Sequence, residues 1–397
     1  MSNLKIFTDN IEAEALNQIY TLIKQPAFKD CKVRIMPDVH AGAGCVIGFT
    51  ADLGDKVIPN IVGVDIGCGM RVVELGKIDI DFKKLDTVIR MKIPSGMNVH
   101  SDSDIWFNRL HELHCYNRLR QVERLQNSVG TLGGGNHFIE IDTDGDGCKY
   151  LVIHSGSRNL GKQVAEYYQN LAIETMQGMD KLADKQAELV KELKSQGRHK
   201  DIEKAIKELH RTFQPDKLNI PKQLCYLTEE NRDNYLHDMK LCQEFAIKNR
   251  ATMADIILKA MGWKSLSSFE TIHNYIEFET NMVRKGAISA KKDELLLIPI
   301  NMRDGCILGK GKGNEDWNYS APHGAGRIMS RSKAKEIVQL EEFEKSMEGI
   351  YTTSVSRDTL DESPMVYKSM DEIVENIKDT VDIIKIIKPI YNFKAGE

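Results

Sequence analysis

The strongest constraint on this chain is a change of texture along its length. From residue 32 to 75, short β-branched runs alternate with glycines: Val33-Arg-Ile-Met, Cys45-Val-Ile-Gly-Phe-Thr, Val57-Ile and Ile61-Val-Gly-Val. That pattern predicts short strands joined by tight turns. From about residue 161 to 261 the chain is instead rich in Lys, Glu, Gln, Leu and Ala, with helical periodicity. The β texture returns after Thr271, at 275–279, 295–298, 305–308 and finally 383–393. A chain in this order reads as α+β: a glycine-punctuated mixed sheet core, surrounding helices and a helical insertion at about 161–261. The finer expectations are a helix over 11–23, one over 104–128, and strands at 138–141 and 150–153. Helices over 181–193 and 201–211, split by Gln196-Gly-Arg, would form a projecting hairpin. A long helix is expected over 232–261, and another over 325–344, starting just after His323.

Charge and cysteine usage exclude several classes. The formal net charge is −4, so the field of the whole protein does not attract nucleic acid and any attraction is local. Arg327, Arg331, Lys333 and Lys335, with no acid between them, are such a local patch. None of the eight cysteines forms a C-x-x-C pair, which leaves zinc knuckles and redox motifs unsupported. The first residues do not read as a signal peptide, and no apolar run is long enough to span a bilayer. The expectation is a cytoplasmic protein with reduced thiols and no membrane partner. No G-x-G-x-x-G follows a strand and no Walker lysine motif occurs, so the standard nucleotide folds do not apply.

Eleven histidines sort by context. His111, His114, His199, His210 and His237 lie in charged helical surroundings and read as surface residues, as does His100 in its polar stretch. His40, His137, His154, His273 and His323 instead stand beside strand ends or glycine turns, where a scaffold exposes functional groups. Asp65-Ile-Gly-Cys68 places an acid and a thiol three residues apart in a compact turn. Asp65, Cys68, His137, His154 and His273 are five candidate ligands, too many for one open tetrahedral site and suited to two metals sharing a thiolate. Softness alone points to zinc. His323 precedes Gly-Ala-Gly-Arg327, where small residues admit a phosphate-sized group and arginines offer forked donors.

Five motifs in order, Pro37-Asp-Val-His-Ala-Gly, Asp65-Ile-Gly-Cys-Gly-Met, Gly133-Gly-Gly-Asn-His-Phe, His154-Ser-Gly-Ser-Arg and His323-Gly-Ala-Gly-Arg, resemble the RtcB family of RNA ligases. The ending Lys388-Pro-Ile-Tyr-Asn-Phe-Lys394 extends the likeness over essentially the whole chain, so one catalytic domain over 1–397 is implied. The resemblance implies joining of a 2′,3′-cyclic-phosphate or 3′-phosphate RNA end to a 5′-hydroxyl end, with GTP as co-substrate and two Mn²⁺ ions. His323 would be the guanylylated nucleophile. Cys68 would bridge the metals, with Asp65 and His137 on one and His154 and His273 on the other. Asn136, Phe138, Glu140 and Lys394 would hold the guanylate. Arg327, Arg331, Asp38 and Arg124 would serve RNA or phosphate, and an archease-like activator is a further implied partner. The segment Pro299-Ile-Asn-Met-Arg-Asp-Gly305 with Gly309-Lys-Gly-Lys-Gly-Asn departs from the family pattern. It is expected to alter the handling of GTP phosphates and to mark a divergent bacterial branch serving RNA repair. The alternative from the same ligands is a dinuclear metallohydrolase of phosphoesters that needs no nucleotide.

Overall fold

The computed structural model describes residues 3–101 and 106–395. Two sheets carry the fold. The first runs β1 (Asn3–Ile6), β2 (Lys32–His40), β3 (Ile47–Asp52), β9 (Met282–Lys285), β8 (Tyr275–Glu277). Only its β1–β2 pair is parallel. The second has the spatial order β11 (Leu295–Asn301), β12 (Gly305–Gly311), β15 (Val381–Lys394), β5 (Phe138–Thr143), β6 (Lys149–Ser155), β4 (Gly69–Gly76), β7 (Ser267–Ile272). A short β14 (Tyr351–Thr352) also pairs with β15. A third, two-stranded ribbon joins β10 (Ala287–Ser289) to β13 (Ser320–Pro322).

Strand β15 is the longest and serves two neighbours in turn. Its first half pairs with β12 and its second with β5. Pro389 sits where the β5 register shifts, a bulge in which its missing N–H breaks no ladder bond.

The helices are α1 (Ala13–Ile23), α2 (Phe82–Lys92), α3 (Val122–Gln126), α4 (Arg158–Met176), α5 (Met179–Ser195), α6 (Ile202–Thr212), α7 (Glu229–Met261), α8 (Arg331–Ile337), α9 (Leu340–Ser346) and α10 (Met370–Asn376). The helical block divides in two. Helix α7 buries Tyr235, Met239, Cys242, Phe245, Met253 and Ile257, a stripe at three- and four-residue spacing, and α4 packs on it with Leu160, Val164 and Tyr168. Both belong to the cores beneath the sheets. Helices α5 and α6 form the expected projecting hairpin, turning at Gly197, and α6 has no buried residue.

Three expected elements differ. Residues 106–128 hold two short turns, Leu110–Glu112 and Tyr116–Arg118, and then only α3; residues 104 and 105 lie outside the described set. Side chains take the backbone donors there: Asp238 accepts from the His114 and Cys115 amides, and Gln163 from that of Arg120. A helix there loses that competition. Val57 makes a single bridge to Leu227, and Pro59 opens a 3-10 turn instead of a strand. The helix expected over 325–344 starts only at Arg331, capped by Ser330, and breaks after Ile337 into α8 and α9. Gly326 has φ +77°, and a Cβ there would meet the Asp38 carbonyl at 2.3 Å, so the loop stays extended against β2.

Candidate active site

Adjacent strands β5, β6, β4 and β7 end at the same edge of the second sheet. Register pairs Phe138 with His154, Met70 with His154 and Gly69 with Ile272. Cys68 therefore precedes β4, His137 precedes β5, His154 lies near the end of β6 and His273 follows β7, all at one end. The turn at Asp65 folds beneath them.

The five predicted ligands meet. Cys68 Sγ is 3.2 Å from His154 Nε2 and 3.5 Å from His137 Nε2. His154 and His273 bring their Nε2 atoms to 3.4 Å, and His137 Nε2 is 3.0 Å from Asp65 Oδ2. Metal–ligand bonds of about 2.0–2.3 Å in a tetrahedral shell imply ligand–ligand edges of about 3.3–3.7 Å. The donors thus already stand close to coordinating separations. They divide into two groups sharing the thiol, Asp65–Cys68–His137 and Cys68–His154–His273.

The far nitrogens fix the rings. His137 Nδ1 donates to the Leu132 carbonyl at 2.9 Å and His154 Nδ1 to that of Asn136 at 3.1 Å. The His154 Nε2 lone pair is left facing the thiol, the orientation a ligating histidine needs, while His137 Nε2 stands between the thiol and Asp65. Burial, then the neighbouring His137 and His273, holds His154 well below its usual range; burial, then His323 and Arg250, does the same to His273. Burial, then the Asp65 carboxylate, pushes the Cys68 thiol well up. Burial opposes the charge of Asp65 as well, but the His137 contact outweighs it and lowers that acid. The imidazoles of His154 and His273, held unprotonated, with a carboxylate and a thiol that only a nearby cation would ionise, suit a pair of divalent ions.

Helix α7 braces this end, which the sequence reading missed. Arg250, fully buried, reaches Glu270 at 2.6 Å and the carbonyls of Gly67 and Ser155 at 2.9 and 2.7 Å. Asn249 Nδ2 donates to the Thr131 and Gly156 carbonyls, each at 3.1 Å. A Cβ on Gly156 would lie 2.1 Å from Asp65 Oδ1, so only glycine lets these two ligand loops touch.

His323 follows β13 directly, and its ring lies 4.7 Å from that of His273. Its Nδ1 donates to Asp38 Oδ2 at 2.6 Å, and its own amide reaches the same oxygen at 3.0 Å. Asp38 is fully buried on β2. It holds the ring from behind and leaves Nε2 free. Beside it opens a cavity of about 470 Å³, lined among others by Asn136, Phe138, Glu140, His154, His323 and Lys394.

The cavity's charged wall contains residues that no sequence motif marks. Glu362 accepts from Lys394 Nζ at 2.6 Å and from the Tyr367 hydroxyl at 2.7 Å. Arg331 and Arg327 approach its other oxygen at 3.2 and 3.5 Å. Asp361 also pairs with Arg331 at 3.0 Å and with Lys335 at 3.6 Å. The patch at 327–335 that looked free of acids therefore meets two from a distant segment. Glu140 accepts from Asn392 Nδ2 at 2.8 Å; burial raises its carboxyl to about 7 against the pull of Asn392 and Lys394. Asn392 and Lys394 alternate on β15 toward one face, a spacing present in the quoted C-terminal motif.

Two expectations find no support in the cavity lining. Arg124, on α3, hydrogen-bonds the Met97 carbonyl and does not line the cavity. Of the divergent segment, Pro299 to Met302 line the cavity, but Gly309–Gly311 belongs to β12. Lys312 is drawn to the Lys378 carbonyl and Asp382, and Asn314 to the Asp379 carbonyl, because the ladder to β15 carries them away. Among the described residues no helix is long and apolar enough to cross a membrane.

A family model described as "tRNA-splicing ligase RtcB" matches residues 18–395. The RNA-splicing ligase RtcB of Escherichia coli strain K12 is 30% identical over an alignment covering 97% of this chain and 95% of its own. The tRNA-splicing ligase RtcB of Nanoarchaeum equitans is 26% identical, covering 89% of this chain and 85% of its own. With a converging ligand set, a braced histidine and a match along nearly its whole length, the chain belongs to the RtcB family.

Proposed function

We propose that this protein joins RNA ends, a 2′,3′-cyclic phosphate or 3′-phosphate to a 5′-hydroxyl, using GTP and a guanylylated His323. RNA as substrate is suggested by the names of its relatives. One observation carries the nucleophile: His323 Nδ1 is pinned to a buried carboxylate while the ring borders both the cavity and His273.

In the first step Nε2 attacks the α-phosphorus of GTP. An N–P bond forms, the bond to the bridging oxygen breaks, and pyrophosphate leaves. The proton stays on Nδ1 against Asp38, which stabilises the positive ring as it forms. Water opens the cyclic phosphate at its 2′-oxygen. An oxygen of the 3′-phosphate then takes GMP from His323, restoring the free imidazole. Finally the 5′-hydroxyl attacks the RNA phosphorus, and GMP departs.

Asp65, Cys68, His137, His154 and His273 would hold two divalent ions, manganese by family likeness. When bound, these supply Lewis-acid stabilisation of phosphoryl charge. Glu140, ionised, would accept from the N1 and N2 donors of guanine, with Phe138 and Lys394 bounding the base. Asn136, Arg327 and Arg331 would face phosphate oxygens.

The test is retention of label on denatured protein after incubation with [α-³²P]GTP and Mn²⁺. Wild type should keep acid-labile label and His323→Ala none. A nucleotide-free phosphoesterase would show cyclic-phosphate turnover without GTP and no adduct.

A further inference from the structure

A second group of metal-ligating side chains stands apart from the Cys68 cluster. His114 belongs to the irregular segment between the turns Leu110–Glu112 and Tyr116–Arg118, while His237 and Asp238 lie on α7. One donor atom from each lies within 4.8 Å of the others. The two imidazoles meet edge to face with centroids 4.7 Å apart.

Asp238 is fully buried, and its placement does not depend on either ring. The His114 amide donates to Oδ1 at 2.8 Å. The Cys115 amide and the Tyr168 hydroxyl donate to Oδ2 at 3.0 and 2.8 Å. Those three bonds tie the segment to α7 and α4. The remaining position on Oδ1 faces His237 Nδ1 at 3.1 Å. That separation is near the ligand–ligand edge of a tetrahedral shell with bonds of about 2.0–2.2 Å. His237 is 45% exposed and His114 is also exposed, so the open side of the group faces solvent. As surface side chains the two histidines are placed where the sequence reading put them, but both are arranged around an immobilised carboxylate.

We propose that His114, His237 and Asp238 form an additional site for one divalent transition ion of zinc or cobalt character. Two imidazole nitrogens and one carboxylate oxygen favour such ions over magnesium, and over manganese by the usual order of stabilities. Solvent would complete the shell. The ion would staple the 110–118 segment to α7.

The test uses the full-length protein stripped by chelator and dialysed. Zn²⁺ is titrated in competition with a chromophoric chelator, comparing wild type with His114→Ala/His237→Ala. Wild type should take up one equivalent more than the variant, with the Cys68 cluster contributing equally to both. Equal uptake overturns the site. An independent readout uses wild type alone, in case the variant misfolds. At Zn²⁺ ten times above its dissociation constant, carbethoxylation of His114 and His237 should slow about tenfold, as occupancy requires, while Mg²⁺ leaves it unchanged. Unchanged labelling of both histidines under Zn²⁺ would equally defeat the proposal.

Discussion

Glu362 shows how a single carboxylate organises the charged wall of the cavity. Burial opposes its ionisation, but Lys394, Arg331 and the Tyr367 hydroxyl outweigh that and bring its pKa to about 2, from an ordinary 4.5. The native state thus binds this proton more weakly than the unfolded chain does. The resulting stabilisation is complete above about pH 4.5 and is lost as pH falls toward 2. Its size is on the order of 3 kcal/mol. Glu362→Gln should therefore be less stable than wild type at pH 7, with the gap shrinking as pH falls through 4 to 3. Urea unfolding at those pH values measures it, and a gap independent of pH refutes the assignment. Nothing near Asp361-Glu362 in the sequence announces this role, because its partners are drawn from residues 327, 331, 367 and 394. His323 and the five cluster residues were legible because each stands beside a glycine turn or strand end. Arg124, which α3 holds against the Met97 carbonyl, lies outside the cavity lining, so its RNA contact rests on the resemblance alone.

Among the elements, α7 carries the most consequence for the site. Its apolar stripe is plain in the sequence and gave the helix nearly to its ends. That Asn249 and Arg250 would face inward was not legible, since a polar pair on a periodic helix reads as solvated. Only the packing of α7 under β4 and β6 brings them to the carbonyls of Gly67, Ser155 and Gly156. Arg250→Met should leave the Gly67 and Ser155 carbonyls without their donor, while Glu270 keeps Arg71, and cost roughly 1–3 kcal/mol per orphaned carbonyl. It should also weaken divalent-ion binding by roughly 10–100-fold, since the ligand loops lose their brace. Chemical denaturation and calorimetric Mn²⁺ titration would check both. Unchanged ion affinity in a folded variant would show that the loops stand without the helix. The helix expected over 104–128 is replaced by turns for the opposite reason: buried Asp238 and Gln163 claim the backbone donors, and neither lies in that segment.

On the scale of the molecule, the α+β class and the alternation of sheet and helix followed from texture, while the pairing of strands did not. β15 joins β12 to β5 across the chain, and no local signal sets that order. The helical block is also less uniform than its composition, since α4 and α7 pack in the cores and α5–α6 stands clear. The ends of that hairpin meet: the Asp216 amide donates to the Gln177 carbonyl at 3.0 Å. Residues 178–215 can therefore be replaced by a short Gly-Ser link. Its two buried apolar side chains, Leu182 and Leu193, leave together. Melting should shift by no more than about 5 °C, and guanylylation should stay within about twofold of wild type. Calorimetry and the labelling assay decide it, and loss of the adduct would give the hairpin a direct part in the reaction.

The convergence of four strand ends has a practical consequence for reconstitution. Sulfur, imidazole and carboxylate donors recruited from residues 65 to 273 are strangers until the sheet closes. On a loose chain, any scavenged soft cation can clamp the wrong pair, and long-range pairings of this kind form slowly. Renaturation under chelator, with ions supplied afterwards, lets the strand ends find their own neighbours first.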